Sequence, residues 1–145
     1  MMQNSVADAD EEIRARNNGV LTDYFRMLEA LDIDTWIELW AFDCEVSAPY
    51  AAEPSARTLR GREALHRHYM AEAAKYVRLR YPATEIHPLL EPGRFLVRWF
   101  PHGELADGGT YRNENVGIFE FDAAGRIRRF VEYFNPVPLR DPSRT

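Results

Sequence analysis

The chain has one cysteine, one lysine and no long apolar run. With Cys44 alone, an internal disulfide is excluded and no cysteine-based metal cluster can form. Every basic residue other than Lys75 and the histidines is arginine, which reads as a coding bias rather than as function. Nothing in the chain is apolar for long enough to span a bilayer. The opening residues 1–12 are polar and acidic, without the charged-then-apolar pattern of a signal. Surplus positive charge is missing too. At a net charge of −5, the attraction to phosphate that dominates binding to nucleic acid or anionic membranes is absent. These absences predict a cytoplasmic protein that binds neither nucleic acid nor membrane.

What remains is an ordinary globular composition, 46% apolar and 28% charged over 145 residues. That length suits one domain with its own core, spanning 1–145 with flexible tails at 1–9 and 138–145. No repeat or linker divides it.

Leu21, Tyr24, Phe25, Leu28 and Leu31 recur at helical spacing, so residues 10–31 read as an amphipathic helix. Asp32 or Asp34 caps a second, short helix with Trp36, Ile37 and Trp40 on one apolar face. Residues 42–50 are extended. The stretch 51–60 reads as a loop with a short strand near Thr58 and Leu59, and a third helix is expected over 62–76. Strands follow at 77–90, 94–103, 110–121 and 126–136, punctuated by Pro82, Pro92-Gly93 and Asp107-Gly108-Gly109. Helices first and consecutive antiparallel strands after them give an α+β domain, with helices on one face of a bent sheet and an apolar pocket between them.

The last two strands carry the first chemical signal. Their short turn at Asp122-Ala-Ala-Gly125 makes a hairpin. In the second strand, Phe130, Glu132 and Phe134 share one face, while Val131 and Tyr133 point the other way. A carboxylate flanked by phenylalanines loses solvation, which raises its pKa toward the range of a general acid or base near neutral pH.

The third helix carries the second. At about 100° per residue, Leu65, Tyr69, Glu72 and Tyr76 fall in one sector with His68 at its edge. His68 and Glu72, at i and i+4, can touch and both lean into the pocket as a proton-transfer couple; the alternative is an exposed pair. His66 lies on another face, so His66-Arg-His68 is not a helical zinc pair, and no metal site is expected.

Tyr111, Asn113 and Asn115 share a strand face, where asparagine is disfavoured. They either bind a ligand carbonyl, orient Glu132, or face solvent near a turn. His102 lies on the same side as Arg98 and Phe100, as pocket lining or as an edge residue. Trp36, Trp40, Trp99, Tyr50 and Tyr69 are core candidates first and pocket walls second. No serine–histidine–aspartate elbow, phosphate loop or dinucleotide fingerprint is present.

Asp34-Thr-Trp36 before an extended 44–49, and Gly61-Arg62-Glu63 opening a helix, give an order of elements that resembles the nuclear-transport-factor-2-like superfamily. That is the curved-sheet cone shared by ketosteroid isomerase and scytalone dehydratase. Within it the chain is most similar to the SnoaL-like and phenazine-biosynthesis A/B group. The matching segments are Gly61-Arg62-Glu63-Ala-Leu65-His-Arg-His68, Pro101-His102-Gly103, Tyr111-Arg-Asn113, Phe119-Glu-Phe121, and Gly125-Arg126-Ile127 through Val131-Glu132-Tyr133. The resemblance implies three N-terminal helices on a strongly curved, mostly antiparallel sheet. It also implies a small cofactor-free enzyme of specialised metabolism, acting on an apolar carbonyl-bearing molecule by cyclisation, condensation or isomerisation. By position, His68 and Glu132 are its acid/base groups, and Glu72 stands where the phenazine proteins have serine. Glu132 is then the main base or acid, His68 passes the second proton and Glu72 tunes it. Tyr111, Asn113, His102, Trp36, Tyr69, Arg98 and Phe134 are the expected substrate-binding residues. Val116 and Ile118 on the outer sheet face predict a homodimer. The alternatives are epoxide opening, with Arg98 the only strand arginine to enlist, or a non-catalytic small-molecule-binding module.

Overall fold

The computed structural model describes residues 5–140. Helix α1 (Val6–Glu29) starts at a capping box, in which Asp8 N–H donates to Ser5 Oγ at 3.1 Å and Ser5 N–H to Asp8 Oδ2 at 3.4 Å. The cap extends the helix into residues 6–9, which were expected to be tail; residues 1–4 and 141–145 lie outside the described residues. Leu21, Tyr24, Phe25 and Leu28 form its buried stripe.

The helix ends in a Schellman motif, with Asp32 N–H bonded to Met27 O and Leu31 N–H to Leu28 O. The motif puts Leu31 in the left-handed region at φ 56°, a conformation that costs a leucine on the order of 1–2 kcal/mol. Asp32 then caps α2 (Ile33–Trp36), its side chain accepting from Thr35 N–H at 3.2 Å. A single 3₁₀ turn follows. Trp40, expected on the α2 face, instead opens strand β1 (Trp40–Ser47) and is fully buried.

Strand β2 (Thr58–Arg60) pairs antiparallel with β1, and helix α3 (Arg62–Ala73) follows. Arg62 anchors the start of α3 by donating Nε–H to Trp40 O at 2.7 Å. Only Leu65 of this helix is buried, because its remaining inward face borders a cavity.

The strands expected as long runs are broken. Pro82 and Ala83 (φ 61°) separate β3 (Tyr76–Arg80) from β4 (Glu85–Pro88). The pair of breaks that shapes the molecule lies further on. Pro101, which has no N–H for a ladder, divides β5 (Arg94–Trp99) from β6 (His102–Leu105). Asn113 and Glu114 divide β7 (Thr110–Arg112) from β8 (Asn115–Phe121) at the same level. Asn113 N–H donates to Pro101 O at 3.2 Å across the corner. The hairpin therefore folds over as a unit, and β6 and β7 leave the main sheet to join β3.

The result is a six-stranded sheet ordered β2-β1-β9-β8-β5-β4, with β9 (Ile127–Phe134), and a three-stranded sheet ordered β3-β6-β7. Among the described residues only the β1–β9 pair is parallel. This is an α+β fold with helices on the concave side of a curved sheet that does not close into a barrel. Asn135 Oδ1 accepts from Val137 N–H at 3.1 Å and starts a short α4 (Val137–Arg140), where a tail without regular structure was expected.

The core lies between α1, α2 and the main sheet, built on Trp36, Trp40, Phe95, Phe119 and Phe130. Phe119 and Phe130 stack at 4.1 Å between ring centres. That stack needs Gly117, since a Cβ there would overlap the Phe130 ring and come within 3.0 Å of Val131 O. Gly117 is the register partner of Glu132.

Candidate active site

Folding the β5–β8 hairpin over at Pro101 and Asn113 leaves a cavity of about 400 Å³ between the two sheets, α3 and the loop 48–53. Glu132 enters it from β9. Strand alternation puts its side chain on the inner face between Phe130, in the core, and Phe134, which also lines the cavity. The opposite wall is α3, which contributes His68, Tyr69 and Glu72. These five residues, expected from periodicity alone, are brought together with Tyr111.

The wall is dominated by tyrosine. Tyr24, Tyr50, Tyr69, Tyr76, Tyr81 and Tyr111 all line it, leaving Tyr133 as the one tyrosine of seven that does not. Burial raises the Tyr24, Tyr69 and Tyr81 hydroxyls well above their ordinary pKa, and the Glu132 charge raises each further. Tyr111 is raised by burial and partly offset by the amide of Asn113. The cavity is therefore lined with neutral hydroxyls that keep their protons.

Among the described residues, Glu132 is the one group pushed into the physiological range. Burial raises its carboxyl to about 7, with the nearby Glu72 carboxylate adding to the effect. No hydrogen bond or cation among the described residues offsets the lost hydration. Glu72 is held by Lys75 Nζ at 2.9 Å, so the His68–Glu72 couple expected from i,i+4 spacing is replaced by an i,i+3 ion pair. His68 instead meets Tyr69 edge-on, with 5.6 Å between ring centres.

Four expected binding residues lie elsewhere. Arg98 sits on the outer sheet face, bonded to Glu114 at 2.8 Å and Glu85 at 3.2 Å, because its neighbour Trp99 takes the inner position. His102 follows the break at Pro101, which interrupts the alternation that would have aligned it with a pocket; its Nδ1 accepts from Arg112 at 2.7 Å. Trp36 is fully buried behind the wall, stacked on Tyr69 at 4.4 Å. Asn113 falls in the β7–β8 corner, where its Nδ2 donates to Tyr111 OH at 2.7 Å and Asn135 O at 2.9 Å.

Sequence reasoning missed Tyr24, Tyr76 and Tyr81 as cavity residues, because a tyrosine in an apolar stripe reads as core. Their polar tips were the available signal, since a buried hydroxyl needs a partner. Among the described residues no group of three or more His, Cys, Asp or Glu side chains is placed to hold a metal, and no helix is long and apolar enough to cross a membrane.

Known proteins share this architecture. A Bacillus subtilis protein, YesE, itself uncharacterised, is 26% identical over 117 residues, covering 79% of this chain and 78% of its own. A phenazine biosynthesis-related protein from Pseudomonas aeruginosa superposes with a TM-score of 0.76 at 22% identity, covering 94% of this chain and 90% of that one. A Δ5-3-ketosteroid isomerase from Mycobacterium sp. gives a TM-score of 0.73 at 22% identity, covering 83% and 93%. At these identities the two structures establish the shared fold. The sequence profile of the SnoaL-like domain matches residues 21–130, which include α3 and end within β9, and the chain belongs to the SnoaL-like family.

Proposed function

We propose that this protein is a cofactor-free acid/base enzyme of specialised metabolism. It takes a small apolar molecule bearing a carbonyl group and moves a proton at the carbon beside that carbonyl, as a step in isomerisation, condensation or cyclisation. The observation that carries this reading is the placement of Glu132, a carboxyl without cation or hydrogen bond in a cavity walled by neutral tyrosines.

Glu132, ionised, removes the proton from the α-carbon. The bonding pair moves onto the carbonyl oxygen, and the enolate accepts a hydrogen bond from Tyr111, whose oxygen is already occupied by the Asn113 amide. His68, across the cavity on α3, returns a proton to the product. Burial, with the Glu72 carboxylate adding to it, keeps the Glu132 carboxyl basic enough to act near neutral pH. Phe134 and Tyr69 hold the apolar body of the ligand. The isomerase named among the similar folds acts, by its name, on a ketosteroid, and the chemistry proposed here is of that kind. Epoxide opening would draw on Arg98, which is engaged on the outer face. The protein works in the cytoplasm as a homodimer, with the half-buried Val116 and Ile118 of the outer face against a second copy.

Hydrogen–deuterium exchange at the α-carbon of a panel of flat apolar ketones tests this without knowledge of the natural substrate. Glu132→Gln is expected to lower the exchange rate by roughly 10²–10⁴-fold while ketone affinity stays within a few-fold. Equal exchange by wild type and variant defeats the proposal, and ketone binding without exchange in the wild type points to a binding module.

A further inference from the structure

Leu31 adopts a backbone conformation that leucine rarely occupies. It stands at the position following the C-cap of α1, where the Schellman hydrogen bonds fix φ at 56° and where glycine is the ordinary residue. Strain of this kind is held by the surrounding structure, here the Schellman hydrogen bonds, and beside a cavity it points to a use for the side chain. Core packing is not that use. Leu28 and Ile33 on either side belong to the packed core cluster, whereas Leu31 is half-buried and outside it. What Leu31 does touch is the cavity, whose wall it forms with Leu28 and Ile33 at the corner between α1 and α2. Ala83 is the other non-glycine residue in the left-handed region; it is exposed and away from the cavity wall, so it isolates the backbone effect from the cavity effect.

We infer that Leu31 is a specificity-determining residue: its left-handed backbone turns an isobutyl group into the cavity, and that group sets the length of apolar ligand the site admits. This rests on the reading of the cavity as a site for an apolar carbonyl compound, though not on proton transfer within it. A glycine here would relax the backbone and lengthen the cavity by the volume of the missing side chain.

The test uses 4-hydroxyphenyl n-alkyl ketones with chains from ethyl to octyl, their affinities read by quenching of tryptophan fluorescence, since Trp99 lines the cavity. Wild-type affinity is expected to rise about fourfold for each methylene that remains inside and to stop rising at a limiting length. Leu31→Gly should move that limit outward by two or three methylenes, and Leu31→Ala by one or two. Ala83→Gly should leave it in place, and Leu31→Gly should shift Tm no more than Ala83→Gly does. An unchanged limit in both Leu31 variants overturns the inference, as does failure of every ketone to bind the wild type. If the glycine variant does not fold, the alanine variant decides by the same criterion. Repeating the series in Glu132→Gln separates the two claims: a shifted limit there upholds the role of Leu31 even where α-carbon exchange never occurs.

Discussion

The Asn113 side-chain amide donates to the Tyr111 hydroxyl oxygen at 2.7 Å, so that oxygen is already engaged as an acceptor. The same amide nitrogen donates to Asn135 O at 2.9 Å, which fixes its orientation. With its oxygen occupied, Tyr111 has its own O–H left to donate into the cavity. Asn113→Ala should lower kcat for α-carbon exchange roughly tenfold with little change in KM, because a donor loses its aim and not its presence. Asn113→Asp should be worse than Asn113→Ala, because a carboxylate would accept the Tyr111 O–H hydrogen bond and turn it away from the cavity. Wild-type kcat in both variants would remove Tyr111 from the mechanism.

Glu132 makes stability depend on pH in a direction opposite to that of a salt-bridged carboxylate. Its carboxyl titrates near 7 when folded against 4.5 in its ordinary state. Between those values the folded protein holds a proton that the unfolded chain has released, so stability falls as pH rises from 4.5 to 7 and is level above. The whole effect is at most about 3 kcal/mol. Glu132→Gln should therefore melt above the wild type at pH 8, and the difference should close as the pH approaches 4.5. Thermal unfolding of both proteins across this range checks it. If Glu132 is the base proposed above, the exchange rate should climb through pH 7 as it ionises.

Gly117→Ala should destabilise the fold by about 1–3 kcal/mol, measured by denaturant unfolding, since its methyl group would displace the Phe130 ring from its stack on Phe119. Phe130 precedes Glu132 on the same face, so the exchange rate should fall as well.

Arg98→Ala should leave both Tm and exchange at wild-type values. Its partners Glu85 and Glu114 sit with it on the outer surface, where water and salt screen such pairs. Loss of exchange in this variant would restore the arginine to the site.

Glu132 was legible in the sequence because its environment is local. Two flanking phenylalanines and the period of a strand suffice to put it on the inner face of the sheet. His68, Tyr69 and Glu72 were legible for a similar reason, since a regular helix fixes their relative directions. The residues that misled lie beyond a break. Counting alternation without interruption aligned Arg98 with His102 and treated Asn113 as a strand-interior residue, but Pro101 and the Asn113 corner reset the phase. The absolute facing of β5 is likewise settled by long-range pairing, as Trp99 fills the inner position opposite Asn115. Lys75 took Glu72 from His68 because i,i+3 and i,i+4 partners compete for the same carboxylate, and the helix period alone does not rank them.

Helix α3 buries only Leu65 fully, packs Tyr69 and Ala73 against the core, and is anchored at its start by Arg62. Its cavity-facing positions 68 and 72 thus carry little of the weight of folding, unlike Tyr69, which stacks on Trp36. Side chains there are exchangeable in a way those of α1 are not, so a new reactive group can be introduced opposite Glu132 without first rebuilding the core. The helix works as an interchangeable wall, and a lineage that varies it can alter what is bound and transformed while the sheet beneath stays as it is.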